Sequence, residues 1–147
     1  MQIRIVRSLR ISAGLLMIVI LGNLAPQCVI TSILGDPFPV EMLRRLLFVH
    51  ALSTGLVSGV GTAGGTMVAA WGMPRRGVYL LSASLIGLAV VVALTPLWST
   101  KYAELRDHVG IGFLAATQAI RSLAAVIWIV LGAKFSITHS KPAVSGS

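Results

Sequence analysis

The chain has 147 residues, 56% of them hydrophobic and only 11% charged, with a formal net charge of +8 and a single cysteine. That charged fraction is less than half of the ~25% usual in soluble domains, which excludes an ordinary soluble fold. The basic residues sit at the ends of apolar runs rather than along one face, which argues against nucleic acid as a partner, and the lone Cys28 excludes an internal disulfide framework or a cysteine metal cluster.

Residues 1–10 carry Arg4, Arg7 and Arg10 and no acid. The apolar run behind them is too long for a signal-peptide core and predicts a first membrane span over about 11–34. Within it, Asn23 and Gln27 are four residues apart and share a helix face. Pro26 lacks an N–H, which predicts a kink about one turn earlier, near Gly22. Residues 35–43 hold two prolines with Asp36 and Glu41 and read as a loop.

The second span, 44–72, is the centre of the chain: RRLLFVHALSTGLVSGVGTAGGTMVAAWG. As a straight helix it would run about 43 Å, against a hydrocarbon core of about 30 Å, so it is expected to tilt, protrude or bend, most readily at Gly64–Gly65. Gly55 with Gly59, and Gly61 with Gly65, are small residues four apart. Lipid gives helices no hydrophobic reason to associate, so such pairs let backbones approach and gain dispersion contacts. The faces they make serve packing within this chain, a homo-oligomer, or docking to other membrane subunits. His50 lies about 10 Å in from the start of this helix.

A tight turn at 73–77 with Pro74 leads to the plainest span, 77–98, which exits at Pro96 and Trp98. After a loop at 99–107, a fourth span over 108–133 begins at His108 and carries Arg121 about halfway along. Residues 134–147 are polar and expected to be a flexible tail. The expected fold is therefore all-α: one domain over 1–133, an integral membrane bundle of four transmembrane helices. If there are four spans, one side holds Arg4, Arg7, Arg10, Arg75, Arg76, Lys134 and Lys141 with no acid. The other side balances Arg44, Arg45, Lys101 and Arg106 against Asp36, Glu41, Glu104 and Asp107. The positive-inside rule then places both termini in the cytoplasm, in a setting such as a bacterial inner membrane.

Arg121 is the residue most in need of an explanation. A charge at the bilayer centre costs at least about 2.5 kcal/mol, and such residues turn to the bundle interior. No Asp or Glu lies within a span. The expected polar cluster around it comprises Thr117 and Gln118 on its own helix, with Asn23, Gln27 and His50 from the first two. It either ties helices together through these groups or holds an anion: a lipid headgroup, a haem propionate, a quinone or an acid from a partner. His50 and His108 are candidate ligands for a haem b or a metal, through their neutral nitrogens. There is no G-x-S-x-G, no H-E-x-x-H and no intramembrane carboxylate pair, so the sequence points away from an enzyme. The leading expectation is a small non-enzymatic membrane protein, a subunit or accessory component of a larger complex or a homo-oligomer. Two alternatives stand beside it, a haem- or quinone-binding electron-transfer subunit and a small oligomeric transporter or channel.

Overall fold

A computed structural model describes residues 2–25 and 40–139. The protein is all-α, and four of its helices are long and apolar enough to cross a membrane. The first, α1, covers Gln2–Val19 and continues into a π-helical turn at Ile20–Leu24. The second, α2, covers Val40–Ala70, and α3 covers Arg75–Trp98. A 3-10 turn at Thr100–Tyr102 and a short α4 at Ala103–Val109 precede the last long helix, α5, at Ile111–His139.

Several boundaries differ from those expected. The first helix begins at Gln2, so Arg4, Arg7 and Arg10 lie on its opening turns rather than in a separate arm. Its expected continuation to 34, together with Pro26, Gln27 and Cys28, lies outside the described residues; the π turn just before Pro26 is bonded from the Ala25 N–H to the Ile20 carbonyl. The second helix runs through Gly64 and Gly65 without interruption. At 31 residues it is about 46 Å long, so it must tilt or protrude. The fourth span does not start at His108. Gly110, at φ 86°, occupies the left-handed region open to glycine and separates α4 from α5, leaving His108 on the short helix. At the far end the helix passes Lys134 and reaches His139, so the first part of the expected tail is helical.

The long helices stand in the order α1–α2–α5–α3. α2 and α5 form the centre, α1 packs on the outer side of α2, and α3 packs on α5. α1 and α3 occupy opposite edges with no substantial contact between them. Consecutive helices α2 and α3 are joined by a tight turn in which Gly72 has φ 72° and the Met73 N–H donates to the Ala70 carbonyl at 3.1 Å.

Glycine sets these positions. A Cβ on Gly14 would strike the Gly65 carbonyl, and one on Gly65 would strike Gly14 in return. One turn further on, a Cβ on Gly61 would meet the backbone of Leu21 and Gly22. On the other face, one on Gly59 would run into the indole of Trp128, and one on Gly132 into the Ala63 carbonyl. Both small-residue faces of α2 are thus occupied inside the monomer, Gly61 and Gly65 by α1 and Gly55 and Gly59 by α5. Hydroxyls on the spans mostly bond back to their own helix, as Thr66 does to the Thr62 carbonyl at 2.7 Å and Ser82 to that of Val78 at 2.8 Å. That hides a polar group where lipid offers no partner.

Candidate functional site

Because α1 and α3 stand apart, a cavity of about 380 Å³ opens between them, floored by α2 and α5. All four long helices line it. Ile18 and Val19 come from α1, Gly22 and Asn23 from the π turn that continues it, and Thr54, Gly55, Ser58 and Thr62 from α2. α3 supplies an aliphatic wall that includes Leu85, Leu88 and Val92 and ends at Thr95 and Pro96, and α5 supplies Arg121, Ala125 and Ile129. Tyr102, on the 3-10 turn, closes one end.

The lining is not uniform. Arg121, Tyr102 and Thr95 gather toward the end where α3 finishes. Ile129 is eight residues beyond Arg121 along α5, about 12 Å away, and with Leu85, Ile18 and the nearly buried Thr62 it lines the opposite, uncharged end. Thr54 donates its hydroxyl to the His50 carbonyl at 2.6 Å, and Ser58 donates to the Gly55 carbonyl at 3.0 Å. These hydroxyls therefore turn only lone pairs toward the cleft. The other side-chain donors in the lining are Arg121, Tyr102, Asn23, Thr62 and Thr95, whose hydroxyl donates to the Val91 carbonyl; Arg121 is the one that carries a charge. The guanidinium lies within coulombic reach of Tyr102 and of His50, and among the described residues no hydrogen-bond or ion-pair partner of it is found.

Of the residues expected to cluster, Arg121 and Asn23 line this cavity together. Thr117 and Gln118 do not; both are buried beside α5's packing face, where the Thr117 hydroxyl donates to the Leu114 carbonyl at 2.8 Å. The Gln118 Oε1 has no partner among the described residues. His50 is half-buried near Arg121 but is not part of the cavity lining. His108 is exposed, with Nδ1 2.7 Å from the Glu104 carbonyl of its own short helix. Gln27 lies outside the described residues. The described residues contain no group of three or more His, Cys, Asp and Glu side chains fit to hold a metal.

The residues that sequence reasoning left out of the site are Thr54, Tyr102 and the α3 wall. Thr54, Ser58 and Thr62 were accessible from spacing alone, since residues four apart share a helix face. Tyr102 lies within the loop expected at 99–107, and only the chain's turn back after Trp98 brings it over the cleft.

No family model, curated protein or solved structure is detectably similar to this chain.

Proposed function

We propose that this chain is a small non-enzymatic membrane component, of the subunit or accessory kind, whose working part is the intramembrane cleft. There Arg121 holds an anionic group supplied from outside the chain. One observation carries the reading: a guanidinium within a spanning helix, about 15 Å along α5 from its start at Ile111, lines an open cleft and has no neutralising partner among the described residues. A charge at that depth defaults to function, because its cost must be offset by something that meets it. The occupied glycine faces of α2 support the same view, since they leave the cleft rather than α2 as the place for a partner.

The charge pattern supports an orientation with both ends cytoplasmic, as in a bacterial inner membrane. Reporters fused at the 71–74 turn and in the 99–110 segment should be active on the cytoplasmic and external sides respectively. A haem between His50 and His108 is the weaker reading, because His108 is exposed and one of its ring nitrogens already faces its own backbone. A transporter lined by the expected polar cluster is weaker too, because Gln118, Thr117 and His50 lie outside the cavity.

The test is native mass spectrometry of the protein extracted gently from its own membranes. Wild type should carry an acidic adduct, either a lipid or a partner chain, that Arg121→Leu lacks while keeping its helix content. An adduct profile unchanged in Arg121→Leu would end the proposal.

A further inference from the structure

The geometry points to a specific occupant for the cleft: an amphiphile with one long hydrocarbon chain and a carboxylate head, of the free fatty acid type. This rests on the reading of Arg121 as an anion holder and goes on to name the anion. Three features lead to it.

The first is the donor set. The guanidinium has five N–H donors and no acceptor, and Tyr102 adds a hydroxyl. The nearby Thr54 and Ser58 hydrogens are engaged with their own helix. A site so rich in donors and bearing a positive charge calls for an acceptor that is also negative. A carboxylate suits the guanidinium fork, with two oxygens for two parallel N–H donors. A neutral quinone carbonyl would leave the charge uncompensated.

The second is the division along the cleft. The cationic end and the end lined by Ile18, Leu85, Ile129 and the nearly buried Thr62 are about 12 Å apart along α5, so a ligand lying in the cleft is charged at one end only. An acidic side chain from a partner helix would satisfy Arg121 but has no use for the aliphatic trough beyond it.

The third is access. The cavity lies between α1 and α3, which do not close on each other, so a chain can enter sideways from the bilayer without crossing water. Its volume of about 380 Å³ is at the small end of the ~300–1,000 Å³ range of ligand pockets. A slender single chain fits that scale better than a phospholipid, whose two chains and bulky head would have to descend to Arg121.

Trp128 reports on this site, because its indole N–H is bonded to the Gly55 carbonyl and Gly55 lines the cleft. The experiment uses full-length protein in detergent micelles, with Trp71→Phe and Trp98→Phe leaving Trp128 as the emitter. The probe is a dibrominated long-chain fatty acid, whose bromines quench a neighbouring indole at short range; its methyl ester is the control. Saturable quenching by the acid, with the ester binding about tenfold or more weakly, is expected. Arg121→Gln should bring the acid down to the level of the ester, and Arg121→Lys should retain part of the difference, since it keeps the charge but loses the fork. If Arg121→Gln does not fold, Ala89→Phe replaces it; Ala89 lines the cleft from α3, so the ring fills it without touching the charge and should abolish saturable quenching.

Equal quenching by acid and ester, or quenching by the acid that survives Ala89→Phe, overturns the proposal. So does preferential displacement of the probe by phosphatidic acid rather than by unlabelled oleic acid. A failure here with an Arg121-dependent adduct still seen by mass spectrometry removes the fatty acid and leaves the anion-holding reading standing; loss of both removes both.

Discussion

The indole N–H of Trp128 donates to the main-chain carbonyl of Gly55 at 2.9 Å, across 73 residues of sequence, and its ring covers Gly59. The pair of glycines that looks like a helix–helix contact motif is thus the seat of one aromatic side chain. Indole is a donor with a large apolar body, so it satisfies an α2 carbonyl while filling the gap the glycines leave.

Trp128→Phe keeps most of that packing and loses the hydrogen bond. Interhelical bonds of this kind contribute about 0.6–1.7 kcal/mol in membranes, and a loss of that size is expected in the free energy of unfolding in mixed micelles. Gly59→Leu should cost more, about 1–3 kcal/mol, because the ring has to move. Equal stability of wild type and both variants would show that the indole does not join α2 to α5.

Gly64 and Gly65 are neighbours with opposite expectations. A Cβ on Gly65 would meet the backbone of Gly14 and Ile18, whereas one on Gly64 would meet only the terminal methyl of Met17, at 3.4 Å. Gly65→Ala should loosen α1 from α2 and lower stability by about 1–3 kcal/mol. Gly64→Ala should be neutral or mildly stabilising, since alanine is the better helix former by up to about 1 kcal/mol. The comparison cancels most effects of the micelle, and a Gly65→Ala protein as stable as Gly64→Ala would contradict the packing of α1.

How much of this was legible beforehand differs by level. Four apolar runs with charged connections announce four helices, because a backbone in lipid has no other way to bond its polar groups within one segment. The break at Gly110 was hidden, because Val109 and Ile111 continue the apolar run and hydropathy does not register a positive φ. The end of α5 was misread for the opposite reason. Lys134 interrupts the apolar run, but nothing there breaks the helix, and its hydrogen bonds continue to His139. Arg121 and Asn23, which line the cavity, stand out in the sequence because polar groups are costly in lipid. The order α1–α2–α5–α3 does not, since it depends on which glycine meets which backbone, and that is a property of two helices at once.

Arg106 anchors the segment that closes the cleft. Its Nη1 donates to the Pro96 carbonyl at 3.1 Å and the Ser99 carbonyl at 2.7 Å, placing a cation on the C-terminal end of α3, where unbonded carbonyls gather. Arg106→Ala should free the last turn of α3 and the 3-10 turn carrying Tyr102. Amide hydrogen exchange over 97–103 should rise about tenfold, matching the loss of about 1.5 kcal/mol expected for bonds from a charged donor, while exchange in α2 stays unchanged. Uniform exchange changes across all helices would instead mean global destabilisation.

Gln118 and Arg121 are three residues apart on α5, both polar and both in the first half of the spanning helix, and their substitution by leucine should have different consequences. Gln118 is 6% exposed, and its Oε1 has no partner among the described residues. A buried acceptor without a donor costs about 1–3 kcal/mol, and leucine has a similar length and no such requirement. Gln118→Leu is therefore expected to leave stability unchanged or to raise it, with the Trp128 probe responding to the brominated acid as before. Arg121→Leu removes a charge from the open cleft. If Arg121 tied helices together, its loss would strand the groups it bonds and lower the folded yield. As an anion holder it leaves the empty protein intact or more stable, and removes both the acidic adduct and the preference for acid over ester. The two measurements, unfolding free energy and ligand preference, thus place each variant independently. A destabilised Gln118→Leu would mean that the amide has a hydrogen-bond partner in the folded protein. A destabilised Arg121→Leu with unchanged ligand preference would make the arginine a structural tie and leave the cleft without a charge to offer.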